Sequence, residues 1–134
     1  MPPAQLDSLF PKSRFVVLFH EFPPGSERAN HWDLMLEDQG ALETWQLSAA
    51  PAPGKTIAAI KLPRHRLDYL NYEGVVSRGR GSVRRIQAGE FQGTLDFGPD
   101  QTGWSIELRW NDAWISAHLT EQPENRWSVE FSAV

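Results

Sequence analysis

The sequence predicts a mainly β, single-domain protein, a small antiparallel barrel or sandwich with little helix. Seven or eight short segments are rich in β-branched and aromatic residues, and turn-forming residues separate them. The length of 134 residues suits one domain with a core of reasonable size. We expect an N-terminal tail at residues 1–13 and one barrel domain at residues 14–134.

The N-terminal half is interpreted as strands joined by turns. Its apolar and aromatic segments are, in order, "RFVVLFHEF", "HWDLMLE", "ALETWQL" and "TIAAIKL". The turn "DQG" at 38–40 joins the second and third segments into a hairpin, and the fourth is a strand or a short buried segment. Pro63 then interrupts the pattern, so "RHRLDYLNY" at 64–72 is expected to be a turn with one helical loop at most.

The C-terminal half alternates more clearly. Its segments are "GEFQGTLDFG", "GWSIELRW", "AWISAHL" and "RWSVEFS". From Trp104 to Trp110 every second residue is apolar, which predicts a strand with one face in the core. Asn111 and Asp112 are expected to form a tight hairpin turn, and most of the six tryptophans are expected to pack in the core.

Composition narrows the class of protein. The chain contains no cysteine, which excludes disulfides, thiol nucleophiles and cysteine-ligated zinc sites. No apolar run approaches the ~20 residues that a membrane-spanning helix needs. The first fifteen residues lack a basic segment followed by an apolar one, so no signal peptide is expected. These features predict a cytoplasmic protein, without membrane attachment, that is a monomer.

Charge is unevenly distributed along the chain. The net charge is −4, yet residues 55–85 hold eight Lys and Arg and only two Asp and Glu. A local basic surface can bind phosphates even in an acidic protein, because screening limits charge effects to roughly 10 Å. A solvated basic face without a ligand is the alternative interpretation.

Two histidines and an aspartate are the strongest metal candidates. In a strand His31 and Asp33 point to one side, and Trp32 and Leu34 point to the other. His20 ends the preceding strand and would lie beside His31 if the two strands pair. Such a set suits Mn²⁺ or Zn²⁺, with Co²⁺ as a further choice. The alternative is an ordinary strand whose two polar residues face water.

A third histidine has basic neighbours. His65 lies between Arg64 and Arg66, and Tyr69 follows four residues later. A histidine among arginines suits an anion, whereas the alternative is a plain surface loop. His118 follows Trp114 and Ser116 at every second position of a regular strand, and we interpret it as a structural residue.

Taken in order, these pieces resemble the 3′-phosphoesterase domain of bacterial DNA ligase D. In that family a strand with a His precedes H-Y-D-[FL]-R-L-E, a glycine turn, L-x-S-W, D-H-P-x-x-Y and F-E-G. This chain has "FVVLFHEF", "HWDLMLEDQGALETW" and "RHRLDYLNYEG" in the same order, over roughly residues 14–91. We expect a standalone, divergent member without a ligase or polymerase domain of its own.

The resemblance implies an activity and a set of site residues. The family removes 3′-terminal phosphates and ribonucleosides from DNA ends and uses a divalent metal, preferably manganese. Its metal ligands correspond to His20, His31 and Asp33, and its phosphate-contacting His and Tyr correspond to His65 and Tyr69. Further phosphate- or nucleic-acid-binding residues are expected among Arg64, Arg66, Arg78 and Arg80.

Some positions depart from the family pattern. A phosphate-binding Arg of the family is replaced by Met35, and a Lys of the family is replaced by Ala49. His20 and His31 are also further apart than in the family, so that "PPGSE" at 23–27 looks inserted. A hairpin loop absorbs such an insertion at little cost in closure entropy.

Three functions stay open at this point. The first is an enzyme of DNA end repair that acts on DNA or RNA-tailed DNA 3′ ends, together with a separately encoded ligase or polymerase. The second is a catalytically weak module of the same fold that binds nucleic-acid ends. The third is a structural or interaction protein that binds neither metal nor nucleic acid.

Overall fold

The computed structural model describes residues 13–96 and 103–134, which form an antiparallel β structure. Among these described residues, helical structure occurs as a short 3-10 turn at Leu67–Leu70. The predicted tail lies outside the described residues, except for Ser13, which begins the first strand. The strands are β1 (Ser13–Glu21), β2 (His31–Asp38), β3 (Ala41–Leu47), β4 (Thr56–His65), β5 (Gly74–Val75), β6 (Ser82–Asp96), β7 (Gly103–Trp110), β8 (Ala113–Gln122) and β9 (Arg126–Ala133).

Eight of these strands close into a barrel, which confirms the predicted fold class. The order is β1-β2-β3-β4-β9-β8-β7-β6, and β6 pairs with β1 to complete the ring. The short β5 pairs with β6 outside the ring. Each of these eight strands pairs with a neighbour on both sides, so none of them is an edge strand of the kind that makes an open sheet prone to aggregation.

Both predicted hairpin turns are confirmed. Gln39 and Gly40 join β2 to β3 with φ of 49° and 80°, and Asn111 and Asp112 join β7 to β8 with φ of 48° and 62°. Two central residues with positive φ match the right-handed twist of the flanking strands, which is why Asn, Asp and Gly occupy such turns.

The prediction that Pro63 ends its strand is wrong. β4 continues through Pro63 to His65. β9 pairs with β4 only from Thr56 to Ile60, and the pairing with β3 is irregular just before His65. The missing N–H of Pro63 therefore lies where the sheet ladder is already interrupted, which is where strands tolerate proline.

The barrel interior is the main core. Trp45 lies at its centre with its ring 5.4 Å from the rings of both Trp104 and Trp127, in edge-to-face contact. Leu34 and Leu36 of β2 point into the same core. Trp104 and the next two even-numbered residues of β7 are buried here, as the alternation predicts.

A second apolar cluster covers the outer side of β1, β2 and β6. It is closed from outside by the 3-10 turn and the loop after it, and its buried members are Val16, Leu18, Met35, Leu42, Leu70, Val76 and Val83. Met35 therefore lies on the same outer face as His31 and Asp33, two residues apart along β2. This cluster anchors the segment that carries Tyr69 next to the barrel wall.

Met35 has a packing role at the position where the resemblance suggests an arginine. Its side chain is 1% exposed. We expect Met35→Ala to lower the free energy of unfolding by about 2–5 kcal/mol, since it removes buried apolar atoms and leaves a cavity. Met35→Leu, which conserves volume, should cost less than about 1.5 kcal/mol. Urea unfolding of both variants measures this, and equal stabilities would contradict the packing role.

No helix within the described residues combines the length and apolar character needed to cross a membrane.

Candidate functional site

Strand pairing brings the three predicted metal ligands together. His20 near the end of β1 lies opposite His31 at the start of β2, and Leu18 lies opposite Asp33. All three polar side chains emerge on the outer face of the barrel, beside the second apolar cluster. Two strands joined by the 22–30 loop thus hold them without any contribution from a helix.

The distances between the donor atoms suit a single metal ion. Asp33 Oδ1 is 3.3 Å from His31 Nε2, and Asp33 Oδ2 is 3.9 Å from His20 Nδ1. One ligand atom from each residue lies within 4.8 Å of the others. Donors that bind one ion at about 2.1 Å each are themselves roughly 3–4 Å apart.

Asp33 is the part of the site that most needs a positive partner. The residue is 5% exposed, and its Oδ1 is buried without a hydrogen-bond partner. A buried carboxylate oxygen without a donor is costly unless a cation or a donor reaches it. The donor set of two imidazoles and one carboxylate therefore fits a divalent cation by its chemistry as well as by its spacing.

The orientation of His20 is set by a backbone carbonyl. Its Nε2 lies 2.5 Å from the Arg80 carbonyl oxygen, so Nε2–H donates and Nδ1 is left to face Asp33. Metal-binding histidines usually make such a bond with their second nitrogen. Gly81 lets the chain next to Arg80 pass close to the end of β1, because a Cβ at Gly81 would lie 2.0 Å from the Glu21 carbonyl oxygen.

The protonation of this group reflects competing effects. Burial opposes a negative charge on Asp33, yet interaction with the nearby imidazoles of His20 and His31 outweighs it and lowers the pKa of Asp33. Interaction with the nearby Asp33 carboxylate raises the pKa of His20, although burial acts against it. Asp33 is thus an ionised carboxylate, the form that binds a cation.

A single cleft of about 640 Å³ contains the metal candidates and further polar groups. His65 from the end of β4 and Arg80 from the loop before β6 line it together with His20, His31 and Asp33. Because the cleft holds a carboxylate, three imidazoles and the guanidinium groups of Arg28 and Arg80, it can bind a cation and an anion side by side.

His65 is held by two neighbours. Its Nδ1 is 3.0 Å from the Pro63 carbonyl oxygen, to which it donates, so Nε2 is left for a ligand. The Tyr69 ring contacts it edge to face at 5.4 Å. Arg66, Tyr69 and Arg80 line an adjoining groove of about 370 Å³.

A search with protein-family models matches residues 25–129 to the DNA ligase D 3′-phosphoesterase domain. The chain belongs to this family. Membership indicates a role in DNA end processing and a hydrolase activity. His31, Asp33, His65 and Tyr69 lie within the match, whereas His20 precedes it and is brought to the site by the pairing of β1 with β2. No curated protein matches the chain.

Two of the predicted arginines lie elsewhere in this phosphoesterase-family chain. Arg64 Nε is 2.8 Å from Glu43 Oε1, and its Nη2 donates to the Asp38 carbonyl, so it does not line the cleft. Arg78 lines a neighbouring cavity beside Pro23 and Val75, which shares Phe22 and Asn30 with the cleft but is not lined by the metal candidates.

Other residues line the cleft that sequence reasoning did not single out. They are Phe22, Arg28, Ala29, Asn30, Gln46, Ser48 and Leu62. Gln46 is opposite Asp33 in the β2–β3 pairing, so the predicted hairpin, counted back from its turn, already indicates its position. Arg28 has no comparable signal because it lies in a loop. Ala49, which replaces a family Lys, packs against the main core.

Proposed function

We propose that this chain is a metal-dependent 3′-phosphoesterase that removes a 3′-phosphate or a 3′-ribonucleotide from DNA ends. The observation that carries this proposal is the shared cleft, in which the buried Asp33 carboxylate, with one oxygen that accepts no hydrogen bond, lies beside two histidines, and His65 and Arg80 line the same walls. Family membership supports it.

The metal would be held by His20 Nδ1, His31 Nε2 and a carboxylate oxygen of Asp33. Mn²⁺ is the ion we propose first, and Zn²⁺ and Co²⁺ suit the same donors. When bound, such an ion polarises a phosphoryl oxygen and activates a water for attack on phosphorus.

The remaining side chains bind and orient the phosphate. Arg80 is fixed by donating from Nε and Nη2 to the carbonyl and hydroxyl oxygens of Ser77, at 2.9 and 3.2 Å, which orients its guanidinium at the cleft. His65, when protonated at Nε2, donates to a phosphoryl oxygen, and the Tyr69 hydroxyl supports it. The oxygen of the attacking water would bond to phosphorus as the bond between phosphorus and the 3′ oxygen breaks. The 3′ oxygen would take up a proton from water and leave as a hydroxyl, and the 3′-phosphate would depart as inorganic phosphate.

The nucleic-acid strand would leave the cleft along the adjoining groove. Tyr69 and Tyr72 offer aromatic rings, and Arg66 offers a positive charge, in that groove. Rings and guanidinium groups along a groove are typical of sites for single-stranded nucleic acid. The same groove favours the second candidate, a module that binds ends with little turnover, for which affinity would fall steeply with salt.

The test is phosphate release from a DNA primer with a 3′-phosphate, with Mn²⁺ or with a chelator. We expect release that requires the metal, that is lost in His31→Ala and that persists in His118→Ala. His118 is a suitable control because it lies outside the cleft and contacts Ser105 and Ser116. Absence of release at every metal concentration, with salt-dependent binding retained, would replace the enzyme by the binding module.

A further inference from the structure

The loop between β1 and β2 is built by its own hydrogen bonds. Asn30 Oδ1 accepts from the backbone N–H of Phe22 at 2.8 Å and ties the two ends together. Ser26 N–H donates to the Pro23 carbonyl at 3.1 Å, and Ser26 Oγ accepts from the Arg28 N–H at 3.2 Å. Arg28 is therefore placed by an ordered turn.

This loop brings Arg28 to the metal candidates. The Arg28 guanidinium lies over the Phe22 ring, 5.7 Å from its centroid. The Phe22 ring in turn stacks on His20, with centroids 4.4 Å apart and planes inclined by 13°. Arg28 lines the same cleft as His31 and Asp33.

Arg28 has no acidic partner within the described part of the chain. No ion pair joins it to a carboxylate of residues 13–96 or 103–134, whereas Arg14, Arg64 and Arg126 each have one. Among the residues that line the cleft, Asp33 is the carboxylate, and Arg28 and Arg80 are the guanidinium groups. The cleft thus carries surplus positive charge even before a metal is counted.

We propose that Arg28 binds the terminal phosphate and makes this cleft select a phosphomonoester over a phosphodiester. A terminal phosphomonoester carries a charge of about −1.5 to −2 near pH 7 and three acceptor oxygens, whereas a diester carries a single charge. A second guanidinium adds a fork of donors that only the monoester can fully use. This inference rests on the proposed function, because it assigns a substrate preference to the same site.

The test compares Arg28→Ala and Arg28→Lys with Arg109→Ala. Arg109 is a matched control, since its guanidinium also lies over an aromatic ring, 5.5 Å from the centroid of Trp114, outside the cleft. Each variant is assayed with Mn²⁺ on DNA that ends in a 3′-phosphate and on DNA that ends in a 3′-ribonucleotide. Binding of 3′-phosphate and 3′-hydroxyl oligonucleotides is measured in parallel by fluorescence anisotropy.

For Arg28→Ala we expect kcat/KM on the 3′-phosphate to fall by about 10- to 100-fold, the range of a lost charged hydrogen bond. The loss on the 3′-ribonucleotide should be smaller. Arg28→Lys should retain a higher kcat/KM on the 3′-phosphate than Arg28→Ala, because lysine keeps the positive charge but lacks the forked donors of a guanidinium. Arg109→Ala should match the wild type. The Mn²⁺-induced rise in melting temperature should be unchanged in all three variants.

Two results would overturn the role of Arg28. The first is that Arg28→Ala prefers the 3′-phosphate oligonucleotide over the 3′-hydroxyl oligonucleotide in binding by the same factor as the wild type. The second is that Mn²⁺ no longer raises the melting temperature of Arg28→Ala, since Arg28 would then act on metal binding or on the fold. A wild type that turns over both DNA ends equally well and binds both oligonucleotides equally would overturn this inference and leave the proposed function standing. A wild type that turns over neither end would overturn the proposed function together with this inference.

Discussion

Asp33→Asn is expected to abolish the stabilisation that Mn²⁺ gives to the wild-type protein. A metal at one hundred times its Kd stabilises the native state by about 2.7 kcal/mol, which for a domain of this size raises the melting temperature by roughly 10 °C. An amide keeps the shape of the side chain but removes the charge that a divalent ion needs at Asp33 Oδ1. The measurement is thermal melting with and without Mn²⁺.

Asp112→Asn is the matched control for that experiment. Asp112 lies in the β7–β8 turn with φ of 62°, a conformation that asparagine also adopts readily. The melting temperature of the Asp112→Asn variant should rise with Mn²⁺ as in the wild type. An equal rise in Asp33→Asn would mean that the ion binds somewhere other than between His20, His31 and Asp33.

His65→Gln is expected to lower kcat by about 100- to 1,000-fold on a 3′-phosphate while the Mn²⁺-induced stabilisation stays intact. Positioned donors at developing charge contribute roughly this much to turnover. His65 lines the cleft but belongs to a different strand from the metal candidates, so turnover and metal binding should separate in this variant. Steady-state kinetics measures kcat, and thermal melting with and without Mn²⁺ measures the stabilisation by the metal.

The outcome for His118→Gln keeps this test interpretable. His118 lies on β8 and contacts Ser105 rather than any residue of the cleft. Its replacement should leave kcat close to that of the wild type. If His65→Gln and His118→Gln gave the same kcat, His65 would have no role in turnover.

The sequence predicted those features that depend on strand alternation. Period-two patterning predicts that Leu34 points to the opposite side of β2 from His31 and Asp33, and in the structure Leu34 lies in the main core while the two polar residues lie on the outer face. The same rule would have separated Arg64 from His65, since neighbours in a strand point to opposite sides. A strand that ended at Pro63 would not impose this separation, and the structure extends β4 to His65.

Features that depend on loops and distant pairings were beyond sequence reasoning. Arg28 lies in a loop, where no periodicity indicates a direction. The contact of the Arg80 carbonyl with His20 joins residues sixty positions apart and depends on the close approach that Gly81 permits. Closure of the barrel by β1 and β6 is likewise a long-range pairing without a local signal.

A crystal structure of the protein with Mn²⁺, analysed by anomalous scattering, tests directly whether His20, His31 and Asp33 form the metal site. We expect one anomalous peak within coordination distance of His20 Nδ1, His31 Nε2 and an oxygen of Asp33, and no such peak in crystals of Asp33→Asn. A wild-type crystal in which Mn²⁺ binds only at other residues, with this group of side chains free of metal, would contradict it.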